Sequence, residues 1–520
     1  MGLPNARIIR HIFVRGIFFF FLPLIAAGHL AGCGGIVGGL TSPTPPASVQ
    51  SLTASDVTTL IQTAALAADP TTMVIAVVDR AGRVLGVYRK PAAPALATGN
   101  FGAQVDVNEL AVSLARTGAF FSNDQAPLSS RTVRFISGIH FPPGVMGAAN
   151  AALYGIENTN RGCTLSTNYI AGQSLPPARS ISGATTGLGV ATGKADVNDS
   201  DPNAVNPGGV PLFRNGSLVG GIGVAGVSPA VAEYAAYAAA TANGFGPTPA
   251  APGVVFIDGI ALPFVSQTTQ PAGVGSGSFT GNFIAGPTGS TGTPAEGMLV
   301  APVAGPLGGL SASDVTTIIN NSVSTANITR AVIRLPIGST ARMSIAVADL
   351  DGTIIGLYRM ADGTVFSVDV AASKARNMVY FNGGSRTAAD LTGVPAGTAV
   401  TNRTIGFGAQ PIFPPGIDGS APGPFFNLYQ LDVANPCTQG FQVAGPNQSG
   451  IVFFPGSVPL YRNGVLAGGL GISGDGVDQD DFVASGGSVG FEAPAGIRAD
   501  QVIVQGVRLP YLKFPTNPTN

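Results

Sequence analysis

With 520 residues the chain exceeds one ordinary domain and has room for two or three, each able to bury its own core. Its 73 Gly, 41 Pro and only 10% charged residues exclude a disordered polyelectrolyte and a plain helical bundle, favouring many turns and long connections. The formal net charge is -1 and no basic stripe is present to grip a phosphate backbone, which excludes nucleic acid as a partner.

In chain order, the first element is an address. Arg7, Arg10 and Arg15 precede an apolar run from Ile17 to Ala27, too short for a membrane span and shaped like a signal-peptide core. The run leads to Leu30-Ala31-Gly32-Cys33, the pattern of a bacterial lipobox. Residues 1–32 are therefore expected to be removed and Cys33 to carry a lipid anchor that holds the protein on the membrane. Gly34 rather than Asp follows the cysteine, which favours the outer membrane or cell surface. Residues 33–49, with Ser42-Pro43-Thr44-Pro45-Pro46, read as a tether.

An internal repeat organises the rest of the chain. Leu52-Thr-Ala-Ser-Asp-Val-Thr-Thr-Leu-Ile61 recurs as Leu310-Ser-Ala-Ser-Asp-Val-Thr-Thr-Ile-Ile319, with Ser55 and Ser313 as expected helix starts. Met73 to Asp79 pairs with Met343 to Asp349. Turns at Gly82 and Gly352 and strands Val84 to Arg89 and Ile354 to Arg359 complete a predicted hairpin in each copy. Helices follow at Glu109 to Phe121 and Asp369 to Phe381. Insertions then share Phe141-Pro-Pro-Gly144 and Phe413-Pro-Pro-Gly416, with Tyr154 and Cys163 answering to Tyr429 and Cys437. Pro211-Leu-Phe-Arg-Asn-Gly216 and Pro459-Leu-Tyr-Arg-Asn-Gly464 predict a second hairpin, because Asn-Gly supplies the two positive-φ positions of a tight turn. Val254 to Phe264 and Val502 to Tyr511 read as closing strands. The expected layout is domain 1 over 50–265, a Gly/Ser/Thr/Pro-rich linker over 266–309, and domain 2 over 310–520. Each is an α+β domain, one antiparallel sheet flanked by helices and interrupted by long loops.

The blocks resemble the GlcG/HbpS-like family, which includes haem-binding secreted proteins and the C-terminal domain of PduO-type proteins. The likeness rests on Asp349-x-x-Gly352 with Arg359-Met360, on Asp369-Val-Ala-x-x-Lys374-Ala, and on Pro459 to Gly464 with Gly468-x-x-Gly471-Ile-Ser-Gly474 and Asp478-Gln479-Asp480. The first copy departs at Leu114, which stands for Lys374, and over Val227 to Glu233, which lacks the Gln-Asp pair. The resemblance implies a profilin-like fold, self-association, and in some members haem or iron. Two linked copies could then pack as an internal pseudo-dimer, or the chain could form a homo-oligomer.

The ligand site implied by the resemblance would use Arg359, Asp369, Lys374, Gln479 and Asp480. From the residues themselves, Tyr358 at a strand end could face the pocket, and His140, the one histidine after residue 32, in a constrained loop beside an aromatic residue, could be an axial donor. Against this stand plainer readings: a loop histidine, Tyr88 and Tyr358 packed at a domain edge, and Asp369 and Lys374 on a solvated helix face. The glycines at 468–474 follow a hairpin rather than opening a βαβ helix, so they read as strand-packing residues and not as a phosphate loop. No nucleophile, general base or metal-ligand cluster can be assembled, and no catalytic residue is expected. Cys163 and Cys437 at matching positions either bridge the copies or stay as separate buried thiols. The expected function is a non-catalytic envelope lipoprotein binding a small planar ligand, most naturally haem; the alternative is a structural or interaction scaffold with a degenerate ligand site.

Overall fold

The computed structural model describes residues 50–163, 180–181, 187–198, 201, 203–247, 255–443 and 445–519. Residues 1–49, with the expected signal segment, Cys33 and the expected tether, lie outside the described residues. Val49–Asn520 form one compact unit.

The first half runs α1 (Ala54–Ala67), β1 (Val74–Asp79), β2 (Val84–Arg89), α2 (Val107–Phe121), β3 (Gly209–Arg214), β4 (Ser217–Ala225), α3 (Pro229–Ala242) and β5 (Asn282–Ala285). The second runs β6 (Gly297–Val300), α4 (Ala312–Ile328), β7 (Ser344–Ala348), β8 (Ile354–Arg359), α5 (Phe366–Asn382), β9 (Ser457–Arg462), β10 (Val465–Ser473) and α6 (Val477–Gly487). Each half builds a five-stranded sheet, in the orders β3-β4-β1-β2-β5 and β6-β8-β7-β10-β9, with antiparallel pairing throughout. The two hairpins of each half are thus joined through their long middle strands.

Alternation along β1 explains the layering. Val74, Ala76 and Val78 face α2, while Ile75 and Val77 face α1 and α3. In the second half Ala346 and Ala348 face α5, and Ile345 and Val347 face α4 and α6. Because helices cover both faces, the central strands are buried along their whole length and carry no polar alternation.

Local signals account for the element ends, with one correction. The helix starts expected at Ser55 and Ser313 lie further back: Thr53 and Ser311 are the N-caps, each closing a capping box with Asp56 or Asp314. The Asn-Gly turns behave as expected, with φ of 50° and 82° at Asn215-Gly216 and 52° and 79° at Asn463-Gly464. Of the glycines of β4 and β10, Gly220 and Gly468 lie against the neighbouring strand as expected, while the other four serve helix packing. A methyl group on Gly221 or Gly223 would overlap the carbonyl oxygens of Ala115 and Ala111, and one on Gly469 or Gly471 those of Ala375 and Ala371. Helix and strand backbones therefore lie in direct contact.

Two larger expectations are corrected. The predicted closing strands are only small separate hairpins, Phe256–Ile257 with Ile260–Ala261 and Ile503–Val504 with Val507–Arg508. The sheets are closed instead by the presumed linker, which supplies β5 to one and β6 to the other. Its first part belongs to the first half: Phe279 and Phe283 pack on Tyr88, and Ser290 N–H donates to Leu52 O. Its last part belongs to the second: Arg359 donates to Ala295 O, and Asp349 accepts from the amides of Leu307 and Gly308. Between these attachments only the exposed Thr291, Gly292 and Thr293 remain.

The halves share cores. Phe366, Val370, Val452 and Phe454 of the second half pack among Phe120, Phe121 and Ile156 of the first, with the Phe121 and Phe366 rings stacked at 4.2 Å. Equivalent residues meet each other: Tyr154 stacks on Tyr429 at 4.8 Å, and Cys163 is disulfide-bonded to Cys437. Such self-pairing is the mark of a pseudo-twofold axis.

Candidate functional site

The family-type residues do not gather around one opening. Lys374 and Asp480 do meet, the Lys374 side chain of α5 reaching past Ile472 of β10 to the start of α6. The Lys374 ammonium donates to Asp480 Oδ2 at 3.0 Å and to Ile472 O at 2.7 Å, and lies 4.9 Å from the centre of the Phe454 ring. Both side chains are buried, so the solvated-face reading of this helix is overturned. Burial raises the Asp480 pKa to about 7 against the pull of Lys374, and burial lowers that of Lys374 against the pull of Asp480. Gln479 is buried beside them at the first turn of α6.

The first half shows what this pair replaces. Gly208 packs on Ala232 and Val224 as Gly456 packs on Asp480 and Ile472, so Leu114 and Ala232 occupy the places of Lys374 and Asp480. An apolar pair fills the same corner of the same fold.

Asp369 and Lys374 face different surroundings. Asp369 Oδ2 accepts the Asn160 N–H of the first half at 2.8 Å, and burial raises its pKa to about 6, opposed by that N–H and by Arg376. Arg359 holds the chain after its strand, donating to Gly363 O and Ala295 O, as Arg89 donates to Ala93 O in the first half. Tyr358 is half-buried and sits opposite Met298 of β6. Tyr88 is buried under linker aromatics rather than at a free edge. None of these is free to meet a ligand without rearrangement.

His140 is placed differently, on the surface where the two Phe-Pro-Pro-Gly loops lie side by side. The loop after His140 is closed by Phe141 N–H donating to Ala149 O, and that after Ile412 by Phe413 N–H donating to Ala421 O. Asp418 at the tip of the second loop ties both together: one oxygen lies 2.7 Å from His140 Nε2, and the other accepts the Gly147 N–H at 2.7 Å. The imidazole contact and that amide hold the Asp418 pKa below the usual carboxylate range. The same two loops carry Val145, Met146 and Ile417, which are 46%, 75% and 55% exposed. Among the described residues no group of three or more His, Cys, Asp or Glu could hold a bare metal ion.

Several polar groups that organise the site were not singled out from sequence. Arg131 binds Glu233 with both nitrogens, at 2.7 and 3.0 Å, and Arg403 repeats this with Asp481 and Asp478. Arg116 and Arg376 each donate from Nε to the hairpin-turn carbonyl, Gly82 O or Gly352 O, at 3.0 Å. Their recurrence at matching places of the repeat was the available signal. The network joining the halves had no such signal. In it Asp362 takes Arg80 and Arg334, at 2.5 and 2.6 Å, and Arg334 also takes Asp475.

Part of the chain is similar to known proteins. Residues 324–488 match the family model described as haem degrading protein HbpS-like. Similar solved structures include a PduOC:heme complex, with 24% identity, TM-score 0.24, and 36% of this chain and 96% of that one covered. A Klebsiella pneumoniae protein, ORFY, gives 18% identity and TM-score 0.22, covering 34% of this chain and 86% of its own. A double mutant of Streptomyces reticuli HbpS gives 15% identity and TM-score 0.20, covering 34% of this chain and 83% of its own. No curated protein matches the chain. Residues 324–488, within the second half, are thus HbpS-like in sequence.

Proposed function

We propose that this chain is a lipid-anchored envelope protein that binds a planar ligand of the haem type at the paired loops 141–149 and 413–421. The observation that carries the reading is His140 held by Asp418 on paired loops that also carry exposed apolar side chains. A haem site needs apolar surface and an axial donor. A metal-binding histidine is commonly oriented through its second ring nitrogen by a carboxylate. With Nε2 engaged by Asp418, Nδ1 is the nitrogen left for iron, and Val145, Met146 and Ile417 offer the apolar contact. Bound haem would supply a redox-active iron. The chain's own residues supply position: Asp418 fixes the ring, the Gly147 N–H fixes Asp418, and the two halves must pair for the site to exist. The match of residues 324–488 to a haem-degrading family supports the ligand class. The reading is of binding: His140 and Asp418 are assigned to holding the ligand rather than to turning it over.

Titration of the purified protein with haem tests this. A saturable Soret shift is expected, lost in His140→Ala and kept in a Lys374→Leu/Asp480→Ala double variant. A spectrum matching free haem at every ratio would reject the proposal. The burial of Lys374, Arg359 and Asp480 favours a second reading, an interaction scaffold whose family-type site has become core, and that outcome would leave it standing. The anchor is tested separately: Cys33→Ser should move the protein from the membrane fraction to the soluble fraction and abolish fatty-acid labelling.

A further inference from the structure

The contact between the halves is uneven along its length. One end is sealed by carbon and charge, with Phe121 stacked on Phe366 and Arg334 and Arg80 both on Asp362. The other end is polar and poorly satisfied. Asp432 takes the Ile451 N–H with one oxygen, but its Oδ2 and Gln439 Nε2 are buried without a well-formed hydrogen bond. Burial pushes the Asp432 pKa well up, opposed by Asn158 and Arg161 of the first half. Groups left in that condition weaken a contact. It is here that Cys163 and Cys437 are bonded, with Cα atoms 5.4 Å apart and 274 residues between them in sequence. Cys163 is buried, and Cys437 is the more exposed of the two.

We infer that the Cys163–Cys437 bond is a thiol-operated clasp: a dithiol reductant releases the polar seam between the halves, around 156–163 and 432–451, while both sheets stay folded. A thiolate of the reductant attacks Cys437 Sγ, the Cys163–Cys437 bond breaks, and Cys163 leaves with the electron pair and takes up a proton. The second thiol of the reductant then attacks the mixed disulfide, freeing Cys437 and leaving the reductant oxidised. Two electrons and two protons pass to the chain. The seam opens first because the bond is its own covalent tie, whereas the Phe121–Phe366 stack and the Arg80–Asp362 pair at the far end do not depend on the cysteines. This goes beyond the ligand reading and holds whatever the paired loops take.

Hydrogen–deuterium exchange on the full chain tests it, comparing oxidised protein, protein in dithiothreitol, and the Cys163→Ser/Cys437→Ser double variant without reductant. Peptides covering 156–163 and 432–451 are expected to exchange about tenfold faster or more in the last two samples, with β1, β4, β7 and β10 unchanged. Mass spectrometry with alkylation should show two free thiols after reduction of the folded protein. Unchanged exchange after full reduction, loss of protection in the central strands as well, or a bond that dithiothreitol opens only after denaturation would each overturn the clasp.

Discussion

Lys374 and Asp480 carry opposite charges with almost no water around them, and the first half shows the same corner built from Leu114 and Ala232. Removing one member of a buried ion pair strands the other, whereas replacing both with apolar groups of fitting shape is often close to neutral. Lys374→Leu alone is therefore expected to cost about 3–5 kcal/mol in urea unfolding, and Lys374→Leu/Asp480→Ala less than about 2 kcal/mol. A double variant as unstable as the single one would mean that the pair contributes something its apolar counterpart does not. Asp369 makes a second test. Its folded pKa, raised to about 6 by burial, lies above its unfolded value, so the folded state binds a proton that the unfolded chain has already lost. The stability this gives is present at acid pH and is lost as pH rises towards about 6. Asp369→Asn keeps an acceptor for the Asn160 N–H and removes the titration. The variant should match the parent near pH 4 and exceed it by about 1 kcal/mol at pH 7, discounted for partial exposure. An unfolding midpoint difference that does not change with pH would refute the assignment.

Much of the architecture at the level of elements was legible in the chain. The hairpins, the Asn-Gly turns and the helices beginning near 107 and 366 follow from periodicity and turn chemistry, and the repeat doubled every signal. What could not be read was contact between distant segments. The Gly-Gly-x-Gly runs of β4 and β10 signal close approach, but only the fold shows that a helix backbone is the neighbour. Gly471→Ala is accordingly expected to destabilise the protein by about 2–4 kcal/mol, since a carbonyl rather than a flexible side chain must move. Thermal unfolding measures this, and a loss under about 1 kcal/mol would mean that α5 can shift outward freely. The edge strands β5 and β6 were hidden for another reason. They are short, lie in Gly/Pro-rich sequence and gain their order from the strand beside them, so composition alone describes them as a linker. His140 was visible as a lone histidine, but its partner Asp418 lies 278 residues away and no local pattern joins them.

Across the whole molecule, the two halves behave as a dimer made of one chain. Phe366, Val370 and Phe454 have their neighbours in the first half, and Tyr154 has its own in the second. A fragment comprising residues 294–520 alone should expose this surface, bind a hydrophobic dye and self-associate at micromolar concentration. A monodisperse, dye-silent fragment would show that the shared core is dispensable. The attachments on either side of Gly292 lead to a different consequence. Every strand of the first sheet lies before that residue and every strand of the second after it, and nothing is folded over the three residues around it. Evolution could undo the fusion there with a single stop and restart. Two genes, each encoding a complete sheet with its own border strand, would yield polypeptides able to find one another and rebuild the parent as a heterodimer.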